Sequence, residues 1–230
     1  MKNILILVIL FIPGLIAQEK DPDKILDDVK KHFSSVQDYE VDVKIKVDID
    51  FIKAPVSEAT IFYKQPDKIK IKSDKFAMLP REGINFSPLS LLKENYTAIY
   101  QGEEKLDGKN VSVVKVIPIG GHSDIVLNTF WIDQSRKIIR KIETTTKIAG
   151  TFLIDLKYED DNDRYPLPSS IKFSFNTDQL NINKGMAGEM EPQKNTKQRK
   201  KSSEGKVFIT YSNYKVNKGI PDTVFEEDKK

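Results

Sequence analysis

The run Glu40-Val41-Asp42-Val43-Lys44-Ile45-Lys46-Val47-Asp48-Ile49-Asp50-Phe51 decides the fold. Val41, Val43, Ile45, Val47, Ile49 and Phe51 fall on one side, and Glu40, Asp42, Lys44, Lys46, Asp48 and Asp50 on the other. A strict period of two in β-branched residues specifies a strand with one face buried and one in water. The expected strand is Tyr39–Phe51, and the residues around it supply partners. Ala59–Gln65 follows after Pro55, and Pro66-Asp67 turns the chain into Lys68–Ser73, where Ile69 and Ile71 share a face. Strands recurring with short turns predict an antiparallel meander.

The alternation resumes at Tyr96–Gln101 and Asn110–Ile117, joined through Asp107-Gly108, a hairpin dipeptide. It continues through Asn128–Asp133, Ile138–Thr146, Gly150–Glu159 and Ser170–Asn176, with Val207, Ile209 and Tyr211 marking the last long strand. Nine to eleven strands are expected. A sheet of that size twists and curls, and one with a single apolar face curls around that face.

Two helices interrupt this pattern. Asp21-Pro22 is an N-cap followed by a first-turn proline. Ile25, Leu26, Val29, Phe33 and Val36 then recur at helical spacing, opposite Asp27, Asp28, Lys30 and Lys31. Ser87-Pro88 has the same form and opens a short helix carrying Leu89, Leu91 and Leu92. A short apolar helix between strands is unfavourable in water, so it is expected to plug or cover the apolar face. The fold class expected is mainly β (α+β): a strongly curved antiparallel sheet forming an incomplete β-barrel, with an N-terminal helix and a lid helix over its concave face.

The chain begins with Lys2, the apolar run Ile4–Ile12, the break Pro13-Gly14 and the small residue Ala17. This is the pattern of a cleavable export signal over residues 1–17, too short to span a bilayer as a helix. Residues 18–230 are then expected to form one domain, periplasmic in a Gram-negative cell. The chain has no cysteine, so no disulfide supports its core and no cysteine follows the signal to carry a lipid anchor. Residues 183–205 hold Lys184, Lys194, Lys197, Arg199, Lys200 and Lys201 with few large apolar groups, and are expected to be a disordered basic loop. That cluster suits a solvated loop, or contact with anionic headgroups or an acidic partner.

Constellations that carry covalent chemistry are not visible. His32 lies beside the apolar stripe of the first helix, and His122 follows Gly120-Gly121 without a second ligand at set spacing. Asp160-Asp161-Asn162-Asp163 lacks the glycine and distal glutamate of a calcium loop. No Gly-x-Ser-x-Gly elbow and no glycine-rich phosphate loop occurs. The expectation is a protein without catalytic residues, metal or cofactor, with no nucleic-acid partner, acting as a monomer.

Several segments together resemble one family. They are Lys24-Ile25-Leu26-Asp27-Asp28-Val29, Tyr63-Lys64-Gln65-Pro66-Asp67-Lys68-Ile69-Lys70, Phe86-Ser87-Pro88-Leu89-Ser90-Leu91-Leu92, Thr129-Phe130-Trp131-Ile132-Asp133, Leu167-Pro168-Ser169-Ser170-Ile171 and Tyr211 to Pro221. Their order resembles the LolA/LolB-like lipoprotein-sorting superfamily over roughly Asp21 to Phe225. The resemblance implies an incomplete barrel under a lid and an apolar cavity for acyl chains of lipoproteins or phospholipid. It also implies exchange with an inner-membrane transporter and an outer-membrane acceptor. In that family an arginine precedes the turn proline and helps latch the lid. Here the position is Gln65, a neutral amide without the charge for that contact.

The cavity lining expected is Val43, Ile45, Val47, Ile49, Ile61, Tyr63, Ile71, Phe152, Ile154, Ile171 and Phe173, with Leu89, Leu91 and Leu92 as the lid. Trp131 fits either core packing or the cavity. The function expected is a periplasmic carrier of acyl chains. The alternative is a lipoprotein-sensing interaction module on the same fold. If side chains fill the barrel completely, the same alternation is only a core.

Overall fold

The computed structural model describes residues 20–49, 54–73, 91–92, 95–120, 123–159, 164–177 and 204–226. The expected signal, residues 1–17, lies outside them, as do Leu89, His122, the acidic run 160–163 and most of the basic loop. That loop ends earlier than expected, because Glu204 and Gly205 already belong to the last strand.

Helix α1 spans Pro22–Phe33, and ten strands follow. They are β1 (Asp38–Asp48), β2 (Ser57–Lys64), β3 (Lys68–Lys72), β4 (Tyr96–Leu106), β5 (Lys109–Pro118), β6 (Ile125–Asp133), β7 (Ile138–Thr146), β8 (Thr151–Lys157), β9 (Ser170–Asn176) and β10 (Glu204–Val216). A 3-10 turn over Asp222–Phe225 closes the described chain. All neighbouring strands are antiparallel, in the order β3-β2-β1-β10-β9-β8-β7-β6-β5-β4. The sheet is unclosed, with β3 and β4 at its edges.

Strand β4 runs five residues beyond the expected Gln101. A bulge between Tyr100 and Gly102 lets it continue, with Gly102 at φ 125, a conformation that only glycine adopts without strain. The turn that follows has φ 49 at Asp107 and φ 77 at Gly108, the two positive values of a type I′ hairpin.

Helix α1 starts where the sequence places it. The Asp21 carboxylate accepts from the backbone N–H of Asp23 at 3.0 Å and of Lys24 at 3.3 Å. Its apolar stripe is buried: Leu26 and Val29 are fully inaccessible, and Ile25 and Phe33 nearly so. Each such side chain contributes roughly 1.5–3 kcal/mol of burial. The terminal carbonyls of the helix end are also satisfied. Ser34 Oγ donates to Lys30 O, Gln65 Nε2 to Val36 O at 2.8 Å, and Asn217 Nδ2 to Ser35 O at 2.8 Å. Gln65, expected only to lack a charge, thus ties the β2–β3 turn to the chain leaving α1.

The helix explains the curl. Lys20 pairs with Glu103 of β4, His32 meets the β6–β7 turn at Lys137 O, and Gln65 reaches the helix end from the far edge of the sheet. A 12-residue helix is only about 18 Å long. Strands from opposite ends of a ten-strand order can all touch it only if the sheet wraps around it. The turns β2–β3, β4–β5 and β6–β7 gather at one end of the barrel, the end that α1 caps, and from there Lys30 reaches along the inner face to the Tyr96 hydroxyl at the other end of β4, at 2.6 Å.

Candidate functional site

Strand register arranges the inner face into tiers. One tier crosses seven strands through direct partners: Val114, Phe130, Ile142, Ile154, Phe173, Val207 and Val47. Every member is apolar, as a period-two pattern on an unbroken sheet requires. Val114, Phe130, Ile142 and Ile154 are buried, whereas Phe173, Val207 and Val47 are only partly covered. The next tier, nearer the end opposite α1, reads Val116, Asn128, Thr144, Phe152, Phe175 and Gly205.

At the capped end the lining becomes aromatic. Tyr39 stacks on Tyr63 at 5.1 Å between ring centroids and meets Tyr214 edge-on at 5.9 Å, while Tyr211 stacks on Tyr214 at 6.0 Å. Burial raises the phenol pKa of Tyr39, Tyr158, Tyr211 and Tyr214, so all four remain neutral donors at physiological pH. Two of these hydroxyls have backbone acceptors: Tyr158 donates to Ile139 O and Tyr214 to Pro168 O.

The far end has another character. Val56, Ile99, Ile117, Ile119, Val126 and Ile148 are the large apolar side chains exposed among the described residues. Five of them lie in the β1–β2, β5–β6 and β7–β8 connections or at the strand ends beside them, and Ile99 lies in the same half of β4. Scattered exposed apolar residues need no explanation, but their confinement to one end does.

Most expected lining residues meet on this face. Val43, Ile45, Ile61, Ile154 and Ile171 are buried in one continuous cluster with α1. Ile71 and Phe173 pack against that cluster and Tyr63 stacks on Tyr39 beside it, all three partly exposed. Val47, Ile49 and Phe152 are also partly exposed. Leu92 joins the core and Leu91 packs against it, so the two described leucines of the expected lid do touch the barrel interior.

Trp131 does not join them. Its register partners are Val113 and Lys141, on the outer face. Its Nε1 donates to Glu104 Oε2 at 2.8 Å, and the Lys141 ammonium sits 4.4 Å from the ring centroid. The run Thr129-Phe130-Trp131-Ile132 is apolar on both faces, so alternation does not say which aromatic points inward. Phe130 does, and it is completely buried.

Sequence reasoning also missed Asn128 and the partner of Asp133. A bulge in β7 leaves Arg140 unmatched between Ile139 and Lys141 and re-aims it. Its Nε and Nη2 then grip Asp133 Oδ2 at 2.9 and 2.7 Å. Burial opposes ionisation of Asp133. Hydrogen bonds from Ser135, Arg140 and the Arg136 backbone, with the Arg140 charge, outweigh it and hold the carboxyl below its usual range. Polar clefts of about 480 and 450 Å³ flank this turn at the capped end, the first between α1 and Lys137, the second between Lys20 and Gln134. Both are lined mainly by charged and hydroxyl groups, unsuitable for a hydrocarbon chain. Among the described residues no three His, Asp or Glu side chains are grouped as metal ligands.

No family model and no curated protein matches the chain. Solved structures do. A DUF1329 family protein from Desulfovibrio piger superposes with TM-score 0.60 at 14% identity, over 90% of this chain and 98% of that one. An outer membrane lipoprotein-sorting protein domain from Vibrio parahaemolyticus gives TM-score 0.59 at 12% identity, over 89% and 97%. A LolA superfamily protein from Nitrosomonas europaea gives 0.54 at 15% identity, over 90% and 98%. With an unclosed antiparallel sheet wrapped around an apolar inner face and capped by one helix, the chain has the LolA-like fold.

Proposed function

We propose that this protein is a cell-envelope carrier. It takes acyl chains of lipoproteins or phospholipid against its inner face and moves them towards the outer membrane, receiving them from an inner-membrane transporter and yielding them to an acceptor. One observation carries the proposal: the apolar tier is sealed at Phe130 and Ile142 but stays partly exposed at Phe173, Val207 and Val47. A finished core has no reason to leave one side of a continuous apolar tier partly exposed, whereas a binding face has. Hydrocarbon in water costs about 0.8 kcal/mol per methylene, so a chain of roughly sixteen carbons gains on the order of 12 kcal/mol from full shelter. Contacts with Val, Ile and Phe give that shelter without directional bonds, so cargo can leave again.

The test is mass spectrometry of organic extracts from the protein exported into a Gram-negative periplasm, beside the Phe173→Glu variant. Stoichiometric lipid in the wild type, lost in the folded variant, is the expected result. A carboxylate in that tier would have to displace hydrocarbon or lose its hydration, at a cost of several kcal/mol. A wild type that is empty and takes up no added lipid refutes the carrier reading.

A further inference from the structure

The tier above the apolar one contains a polar group that the fold does not satisfy. Asn128 is fully buried on the inner face, between Val116 on β5 and Thr144 on β7. Its Oδ1 accepts from Thr144 Oγ1 at 2.8 Å. Its Nδ2 has no hydrogen-bond partner. Buried polar groups are almost always paired, because an unpaired one forfeits its hydration for nothing. An apolar residue of the same shape would bury no unpaired amide N–H here. The position of the amide suggests what it is for. Along its own tier it is followed by Thr144, Phe152 and Phe175, and one tier deeper lie Phe130, Ile142, Ile154 and Phe173.

We infer that Asn128 is a specificity determinant of the site proposed above, donating its free N–H to the carbonyl oxygen that joins an acyl chain to its headgroup. The inference rests on the carrier reading. An acyl chain running along the strands past the deeper tier, with its methyl end towards the β6–β7 turn and its head towards the far end, brings its first carbon up to the tier of Asn128. That carbon bears an ester oxygen in a glycerolipid and an amide oxygen in an N-acylated peptide, and both are acceptors. Thr144 fixes the orientation of the Asn128 amide by donating to its oxygen, which leaves the N–H for cargo. A hydrocarbon or ether-linked chain offers no carbonyl and leaves the donor unpaired. The site thus discriminates by connection chemistry rather than by chain alone, as buried polar groups do when the correct partner is absent.

The experiment compares three probes on the delipidated full chain: dipalmitoyl phosphatidylglycerol, its dihexadecyl ether counterpart and an N-palmitoyl peptide. Wild type is expected to retain at least one carbonyl-bearing probe about tenfold more tightly than the ether, the effect of one buried hydrogen bond. Whether the ester or the amide wins identifies a glycerolipid or an N-acyl cargo. Asn128→Leu is expected to remove the preference while still binding the ether. In the wild type, the Asn128 side-chain amide resonances should shift with the carbonyl probe and not with the ether, a readout that needs no variant. Equal retention of all three probes, or a preference that survives in Asn128→Leu, overturns the role of Asn128 and leaves the carrier reading standing. Failure of every probe to bind overturns both.

Discussion

Asp133→Ala tests the balance of forces at the capped end. Asp133 is 4% exposed, and the side chain of its partner Arg140 12%. Removing the carboxylate leaves a guanidinium almost without water and deprives Ser135 Oγ and the Arg136 N–H of their acceptor. Breaking a buried pair on one side costs about 3–5 kcal/mol. The slight exposure of Arg140 favours the lower figure, about 3 kcal/mol. For a domain of this size each kcal/mol moves Tm by roughly 2–4 °C, so thermal unfolding followed by circular dichroism should show a fall of roughly 6–12 °C. Asp133→Ala with Arg140→Met should recover most of the loss, since no charge is then stranded. The pH dependence has a definite sign. The folded carboxyl titrates below its unfolded value of about 3.9, so its contribution is complete above that pH and disappears as pH falls through the folded pKa. The stability gap between wild type and Asp133→Ala should be constant from about pH 5 to 8 and close in acid. A gap under about 1 kcal/mol at pH 7, or a double variant no more stable than the single, would refute the reasoning.

Two further outcomes follow from the inner and outer faces. Gly205→Ala places a Cβ 2.7 Å from Phe175 Cζ and 3.0 Å from Thr177 Cγ2, so the Phe175 ring must move; we expect a loss of about 1–3 kcal/mol by chemical denaturation, and an unchanged midpoint would mean the ring yields freely. Trp131 is the single tryptophan and lies on the outer face, so its emission maximum should stay fixed while lipid is taken up; a blue shift on loading would place the cargo outside the barrel.

The sheet was legible wherever one face alone is apolar. β7 and β9 begin and end where the alternation does, while β1 starts one residue before the expected Tyr39 and ends at Asp48, with Asp50 and Phe51 of the expected strand outside the described residues. Legibility failed where local pattern and long-range register diverge. Trp131 could not be placed because its strand is apolar on both faces, and only its pairing with Val113 and Lys141 decides the matter. Arg140 reaches Asp133 through a bulge, and a bulge has no sequence signal when neither flanking residue is glycine. Asn128 reads as an ordinary polar residue at a strand start; its significance comes from burial by strands distant in sequence. The role of Gln65 was half visible. The missing charge could be read from the family resemblance, but not the carbonyls of Ser34 and Val36 that its amide serves.

The unjoined edges of the sheet have a mechanical consequence. In a closed barrel girth is fixed by strand number and stagger, and widening it means rupturing a ladder of backbone hydrogen bonds. Here β3 and β4 share no ladder, so the seam between them can part while all nine strand pairings persist. Among the described residues no strand pairing crosses from β3 to β4, and α1 reaches both halves of the sheet, through Gln65 and Glu103. Girth can then change without breaking a strand pairing. β3 presents Lys68-Ile69-Lys70-Ile71-Lys72 at that line, five residues alternating with charge, a short lysine-rich edge that discourages another strand from docking there.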